Sequence, residues 1–288
     1  YKGSANNVVV PNTVDNYPVT KVESMEGGSR IKKISFSDNV LKVGYIGNDL
    51  PYLEEVQWEK GIRVIGSGSF SNCKYLKTME LPETVTVIGG GAFHGSGITQ
   101  LKIPERVKRL DEYVFEDCYN LTSITLPEGL VSIGDNAFYS CGKLEEIYIP
   151  STVEKIGCDC FNDCNKLKSV IFEKNIQQET QLKQIGEGAF EDCTALKTIR
   201  LPYGLDKIES SMFRACHGMQ GVIDIPDSVS KIEEKAFYNC YNLQAVVLPA
   251  NIQQIEQDAF EGTSYDFYLV VKEGTNAEKW VMQTKQPY

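Results

Sequence analysis

Nine cysteines are the residues of this 288-residue chain best suited to chemistry, because thiolates bind metals, form disulfides and act as nucleophiles. Their spacing indicates a structural role instead, since seven of them each lie three residues after a phenylalanine. Ser96 and Thr263 hold the same place after two further phenylalanines. One small side chain at a constant position predicts a ladder of buried, reduced thiols, whose parallel side chains are badly oriented for S–S bonds. The structural ladder comprises Cys73, Cys118, Cys141, Cys164, Cys193, Cys216 and Cys240.

The other two cysteines, Cys158 and Cys160, form a local cluster with Cys164. Their spacing differs from the C-x-x-C of a zinc knuckle, and neither a second cluster nor a nearby histidine completes four ligands. Cys160 stands where alanine usually precedes the repeat phenylalanine, which favours core filling. We therefore expect no metal site, and a local disulfide at Cys158 is the alternative. The odd number of cysteines leaves at least one free thiol in a monomer.

Residues suited to catalysis are sparse. The only histidines, His94 and His217, lie far apart in sequence, and no serine or cysteine is placed beside them as a nucleophile. The glycine-rich stretches 66–68 and 89–91 lack the lysine of a phosphate-binding loop. Adjacent acids such as Glu145 and Glu146 diverge in an extended segment, although two acids from different repeats could still form a pair. The sequence predicts a non-enzymatic protein with no catalytic residues and no cofactor.

Charge and hydropathy exclude several classes of partner. The formal net charge is -10, whereas a nucleic-acid surface needs clustered Lys and Arg and an anionic membrane also attracts basic residues. No apolar run reaches the ~20 residues that span a bilayer, so direct membrane insertion is not expected. No signal peptide opens the chain, which does not indicate a cytosolic location because a removed leader leaves the same start.

Phenylalanine recurs at a nearly constant interval and predicts the architecture. Successive gaps are 22 to 24 residues, with one gap of 29. A period in this range indicates a solenoid, in which each repeat buries its apolar face against its neighbours. The repeat residues are Phe70, Phe93, Phe115, Phe138, Phe161, Phe190, Phe213, Phe237 and Phe260.

One repeat shows the elements that position these residues. Ile124 and Leu126 share one face of a short strand, which Pro127 ends because it has no N–H for the ladder. Gly134, after the second apolar pair, predicts a tight turn with positive φ, and Ala137-Phe138 predicts a short helical turn. The sequence thus predicts an α/β solenoid of about twelve ~23-residue coils, with a parallel β-sheet on its inner face.

We expect a single domain over residues 1–288. Residues 1–65 are degenerate N-terminal repeats, residues 66–272 are regular repeats, and residues 273–288 form a helical cap. One repeat carries an extra polar segment around residues 175–180, which predicts a bulge at the edge of the solenoid.

Strand residues between the core positions should face solvent on the inner surface, and most of them are small and polar. Tyr148, Ile171 and Arg200 break that pattern on successive rungs, and they have the composition of an interface centre. With Glu146 and Thr198 they form the candidate binding residues. A rival surface is the edge near the cysteine turns, where partial packing over neighbouring turns is the alternative role of five tyrosines: Tyr75, Tyr119, Tyr139, Tyr238 and Tyr241.

The repeat, Leu121-x-x-Ile124-x-Leu126-Pro127 followed by Ile133-Gly134-x-x-Ala137-Phe138-x-x-Cys141, resembles the BspA-like leucine-rich repeats of bacterial surface antigens. The resemblance covers almost the whole chain. It implies a leucine-rich-repeat superhelix that is secreted or displayed on the cell surface of a host-associated bacterium. It also implies a monomeric protein-interaction module, often an adhesin for host matrix or cell-surface proteins. A carbohydrate-binding module and a structural stalk are the alternatives, and the mode of anchoring stays open.

Overall fold

A computed structural model describes residues 6–25, 30–174 and 180–284. The chain is a β-solenoid of about 11 turns of about 23 residues, with parallel sheets and one short C-terminal helix. The predicted repeat solenoid is therefore confirmed. The structure divides into two compact units, Tyr1–Lys143 and Leu144–Tyr288, which are described in turn.

Short strands supply almost all the regular structure of the first unit. Strands β1, β5 and β7 form one parallel sheet, and β10 pairs in parallel with β12. Between these two sheets, Thr78 makes only an isolated parallel bridge to Gln100. The strands are β1 Asn7–Val10, β2 Thr13–Val14, β3 Tyr17–Pro18, β4 Lys21–Val22, β5 Lys33–Phe36, β6 Lys42–Val43, β7 Glu55–Trp58, β8 Val64–Ile65, β9 Val87–Ile88, β10 Gln100–Lys102, β11 Arg109–Leu110, β12 Ser123–Thr125 and β13 Ser132–Ile133, with a 3₁₀ turn at Gly47–Asp49.

The second unit repeats the arrangement. Strand β14 pairs in parallel with β16, and β19, β21 and β23 form a second inner sheet. The strands are β14 Glu146–Ile149, β15 Lys155–Ile156, β16 Ser169–Phe172, β17 Gln184–Ile185, β18 Lys207–Ile208, β19 Gly221–Asp224, β20 Lys231–Ile232, β21 Leu243–Val247, β22 Gln254–Ile255 and β23 Tyr268–Val270, followed by helix α1 Asn276–Thr284.

A further parallel sheet, which the sequence analysis did not predict, runs along each unit. Its strands are the two-residue pieces that contain the second apolar position of each repeat, such as Lys207–Ile208 paired with Lys231–Ile232. In the first unit it comprises β4, β6, β8 and β9 together with the pair β11 and β13. In the second unit it comprises the pair β15 and β17 together with β18, β20 and β22. The inner sheet is therefore only one of two that hold the coils together.

Stacked phenylalanine rings fill the core between the sheets, as the period requires. Ring centroids lie 5.3–5.7 Å apart from Phe70 to Phe138 and 5.2–5.6 Å apart from Phe161 to Phe260. Trp58 joins the stack edge-on at 5.8 Å from Phe70. Stacking of these buried rings adds to the burial of large apolar areas.

The segment around each phenylalanine is a series of turns instead of the predicted short helical turn. Within a coil, the Cys118 N–H donates to the Phe115 carbonyl oxygen at 3.1 Å. Between coils, the Phe93 N–H donates to the Val114 carbonyl oxygen at 2.9 Å. These turns form a third hydrogen-bonded ladder, so their backbone groups are satisfied without a helix.

The repeat glycine has a different role from the one predicted. Positive φ occurs two residues before and two residues after the phenylalanine, as at Gly68 (62°) and Asn72 (58°), and not at the glycine that follows the second strand. That glycine is a point of close approach between coils. A Cβ atom on Gly134 would lie 2.7 Å from the Glu112 nitrogen, and one on Gly186 would lie 2.5 Å from the Cys158 nitrogen.

Helix α1 forms the predicted C-terminal cap over Asn276–Thr284. Ala277 and Val281 are fully buried, so one face of the helix packs on the unit. The Thr275 hydroxyl accepts a hydrogen bond from the Glu278 N–H at 3.4 Å, and the Glu278 carboxylate accepts one from the Gly274 N–H at 2.8 Å. Thr275 therefore caps the helix as in a capping box, except that the Glu278 carboxylate reaches the N–H one residue before the cap. Residues 175–179 of the predicted bulge lie outside the described residues.

Candidate functional site

The inner sheet of the second unit brings part of the predicted site together. Strand register pairs Glu146 with Ser169 and Tyr148 with Ile171. Ile147, between the two outward residues of β14, is fully buried and therefore turns Glu146 and Tyr148 towards solvent. Tyr148 is 48% exposed and Ile171 is half-buried. An aromatic and an aliphatic side chain thus form one contiguous surface.

Thr198 and Arg200 are exposed on either side of buried Ile199, but they lie in a segment that forms no strand. Among the described residues, no backbone hydrogen bond joins this segment to β16, whereas the Gln220 N–H next to β19 donates to the Lys197 carbonyl oxygen at 2.9 Å. Their segment follows the insertion in the repeat. The structure therefore places Glu146, Tyr148 and Ile171 in strand register and leaves Thr198 and Arg200 outside it.

A second apolar group on this inner surface was missed by the sequence analysis. Val222, Ala245 and Tyr268 are register partners across β19, β21 and β23. Val222 is 50% exposed and Tyr268 is 42% exposed, and Val270 lies two residues further along β23 at 37%. The alternation of Tyr268 and Val270 around buried Leu269 is a sequence pattern that predicts an exposed apolar strand face. It was overlooked because it occurs in the last coil, where the repeat lacks the proline that marks the end of the strand.

The rival tyrosine edge consists partly of rings that pack on each other. The Tyr52 and Tyr75 centroids lie 5.6 Å apart, and His217 stacks on Tyr241 at 4.7 Å. Tyr119 is 57% exposed and its hydroxyl donates to Asp117 at 2.8 Å. Tyr139 and Tyr238 are half-buried. Packing over neighbouring turns accounts for much of this edge.

All seven cysteines of the structural ladder are buried, and their thiols have a partner that the sequence analysis did not foresee. The Cys118 thiol donates to the Phe93 carbonyl oxygen at 3.1 Å, and Cys216 donates to the Phe190 carbonyl oxygen at 3.1 Å. Each of those carbonyls also accepts the N–H three residues later in its own coil. The thiol therefore satisfies a second lone pair that would otherwise be buried without a partner.

Burial leaves these thiols without nucleophilic character. Desolvation raises the pKa of Cys73, Cys118 and Cys240 to about 12, so the reactive thiolate does not form near neutral pH. Cys158 differs in being exposed. In the part of the chain that the structure describes, no three His, Cys, Asp or Glu side chains are grouped to hold a metal ion.

The two histidines are engaged in contacts with neighbouring side chains. His94 Nδ1 lies 2.9 Å from Glu116 Oε2. Burial raises the pKa of the Glu116 carboxyl, and the charge of His94 opposes that shift. His217 stacks on Tyr241. Among the described residues, no hydrogen bond joins either histidine side chain to a serine or a cysteine.

Comparison with known families gives a match over most of the chain. A model of the BspA-type leucine-rich repeat region, in six copies, matches residues 48–168 and 169–281. Among proteins with curated descriptions, none matches the chain significantly in sequence. Among the described residues, no helix has the length and apolarity needed to cross a membrane.

Solved structures share the fold. A leucine-rich cell surface protein from Faecalibacterium prausnitzii has a TM-score of 0.54 at 21% identity, covering 100% of this chain and 93% of its own. A leucine-rich repeat protein from Bacteroides ovatus has a TM-score of 0.53 at 20% identity, covering 93% and 92%. The pneumococcal vaccine antigen PcpA has a TM-score of 0.53 at 18% identity, covering 94% and 74%.

Proposed function

The chain belongs to the BspA-type leucine-rich repeat family, and on that premise we propose that it is a surface-exposed adhesin that binds host matrix or cell-surface proteins. Leucine-rich repeat proteins generally mediate protein interactions, and the family and fold are typically non-catalytic. The Faecalibacterium protein of similar fold is a cell surface protein, which supports an extracellular location for this chain. A single repeat domain and a monomeric state are parts of the same proposal.

The exposed side chains of the inner surface of residues 144–284 are the observation that carries the proposal. Tyr148 and Ile171 stand in register on β14 and β16, and Val222 and Tyr268 stand on β19 and β23. Aromatic and aliphatic side chains held on strands lose little conformational entropy on binding. With exposed Arg200, they match the composition of protein interfaces, which are enriched in Tyr and Arg.

Binding of the purified chain to immobilised host matrix proteins and glycans, at two salt concentrations, tests this function. We expect saturable binding to a protein. The double variant Tyr148→Ala, Arg200→Ala should lose at least about tenfold in affinity, because truncated interface centres cost more than 1 kcal/mol each. The matched control is Tyr203→Ala, Arg106→Ala, which removes the same residue types from exposed positions outside the candidate binding residues.

Two other outcomes would assign the chain to another class. Binding to glycans that depends on tyrosines and is insensitive to salt would identify a carbohydrate-binding module. Absence of binding across the panel at high protein concentration would favour a structural stalk. Equal loss of affinity in both double variants would contradict the proposed surface while leaving protein binding intact.

A further inference from the structure

The inner sheet of the first unit is interrupted, and a groove of about 1020 Å³ lies at the interruption. Strand β7 pairs with β5 on one side. On its other side, no backbone hydrogen bond joins β7 to residues 77–81 within the described part of the unit. The groove runs from Val9 on β1 to Thr125 on β12, so it crosses six successive rungs.

Core side chains reach the floor of this groove. Trp58 and Val56 are only half-buried, whereas Ile34 and Phe36 at the same positions of the preceding coil are 0% and 1% exposed. Across the interruption, Met79 keeps 8% exposure. The interrupted ladder thus opens a narrow apolar strip along the bottom of a polar groove.

Two buried polar atoms at the groove have no hydrogen-bond partner. They are the indole nitrogen Nε1 of Trp58 and the hydroxyl Oγ of Ser37. The indole N–H can only donate, so it requires an acceptor. A buried donor without a partner is costly, so the floor beneath the groove carries an unsatisfied indole N–H.

The groove is acidic. Four glutamates line it against one lysine, Lys102. Two of the glutamates have cationic partners: Lys33 lies 3.0 Å from Glu55 and Lys102 lies 3.4 Å from Glu83. Glu59 and Glu80, both exposed, have no cationic partner among the described residues. These two carboxylates favour a positively charged ligand.

From these observations we propose that the groove binds an extended basic segment of a polypeptide. Lysine or arginine side chains would approach Glu59 and Glu80, and small apolar side chains would cover the exposed core strip formed by Val56 and Trp58. Five rung spacings of ~4.8 Å accommodate roughly seven extended residues at ~3.3 Å each. A neutral glycan would leave the carboxylates unpaired, and a single metal ion would leave most of the volume unfilled.

The segment must lie across the rungs instead of inserting between them as an added strand. Strands β8 and β9 of the same two coils remain paired, with Val64 opposite Val87 and Ile65 opposite Ile88. The coils are therefore held one strand spacing apart at that side, which leaves no room for an extra strand of ~4.8 Å. This surface belongs to the first unit and is independent of the adhesin surface proposed above.

An array of acetylated and amidated nonapeptides with Lys, Ser or Glu at alternate positions tests the proposal. We expect the lysine series to retain the protein at low salt at least about tenfold better than the glutamate series, and less well as salt screens the charges. In a Trp280→Phe variant, which leaves Trp58 as the sole tryptophan, the indole N–H resonance should shift on addition of a retained peptide.

Matched variants locate the contact. Glu59→Gln, Glu80→Gln should weaken binding of the lysine series by about tenfold, as the loss of two exposed charge contacts implies. The control Glu154→Gln, Glu187→Gln removes two exposed carboxylates elsewhere and should bind like the parent chain. Retention of no peptide series, equal retention of lysine and glutamate series, or an unmoved Trp58 signal would overturn the proposal. Retention of neutral glycans in place of the peptides would also overturn it and assign the groove to carbohydrate.

Discussion

The inner surface of the first unit is acidic and polar, whereas that of the second is aromatic and aliphatic. Glu55 and Glu80 are exposed to solvent on the inner surface of the first unit, and Tyr148 and Val222 are exposed on that of the second. Behind both lies the same core of stacked phenylalanines, at 5.3–5.7 Å in the first unit and 5.2–5.6 Å in the second. Alternate residues of one strand therefore have different roles. Those that point into the core determine the fold of the coil, and those that point to solvent determine the chemistry of its surface.

The phenylalanine stack is common to both units, and removing one of its rings should have the largest effect on stability. Phe115→Ala in the first unit and Phe190→Ala in the second should each lower the free energy of unfolding by about 3–5 kcal/mol, because both rings are fully buried. Urea unfolding followed by circular dichroism measures the change. Tyr203→Ala, at a 71% exposed position, is the control and should stay within about 0.5 kcal/mol. A loss below about 1 kcal/mol at either phenylalanine would show that the stack does not hold that unit.

The close approach of coils at the repeat glycine should give the next largest effect. Gly134→Ala and Gly186→Ala each place a Cβ atom within 2.7 Å of the neighbouring coil's backbone, and backbone cannot move aside as a side chain can. Each should cost about 1–3 kcal/mol, the usual range for overpacking. Gly142→Ala is the matched control, because nothing lies within 4 Å of its Cβ position. Equal stability of the three variants in urea would contradict the steric role.

The thiols should make stability depend on pH in the alkaline range. Burial raises the folded-state pKa of Cys118 to about 12, while 9.0 is its ordinary value. The contribution of the Cys118 thiol to the free energy of unfolding is therefore complete below pH 9. It is lost as the pH rises towards 12, because the thiol ionises at lower pH in the unfolded chain than in the folded one. At pH 10 the loss is about 1.4 kcal/mol for one thiol. Relative to Cys118→Ser, whose hydroxyl does not titrate here, the parent chain should lose stability between pH 8 and pH 10.

Thiol labelling at pH 8 checks the same burial without unfolding. Cys158 is exposed and should react with iodoacetamide in the native protein, whereas the seven thiols of the structural ladder should react only in denaturant. Reaction of seven or more thiols in the absence of denaturant would refute the ladder. An unchanged stability difference between Cys118→Ser and the parent chain across pH 8–10 would refute the raised pKa.

The period made the strand, the phenylalanine stack and the cysteine position predictable, because each recurs with the same residue types. The second parallel sheet was not predictable in the same way, since a strand such as Lys155–Ile156 has one core residue and therefore no alternation. The interruptions of the inner sheet could not be predicted from the sequence either. Met79 and Leu81 follow the core pattern as regularly as Leu101 and Ile103, yet only the latter coil has a strand there.

The candidate site likewise has a part that the sequence predicts and a part that it does not. Sequence spacing placed Tyr148 beside Ile171, because equal positions in successive repeats become register partners. The same argument put Arg200 one rung further, where strand pairing is not continued. The groove of the first unit depends on a local opening of the ladder and on an indole N–H without an acceptor, neither of which a repeat pattern encodes.

Substitution of the solvent-exposed strand residues should have the smallest effect on stability. It therefore tests whether these residues serve binding alone or also hold the fold. Tyr148→Ser, Ile171→Thr gives β14 and β16 the small polar face found on β12, while the flanking core residues Ile147 and Val170 keep their burial. Surface substitutions of this kind stay within about 0.5 kcal/mol each, so urea unfolding should barely change. A loss of several kcal/mol would mean that the outward face also holds the coils together. Unchanged folding with lost binding to a matrix protein would mean that ligand choice can be rewritten without touching the solenoid.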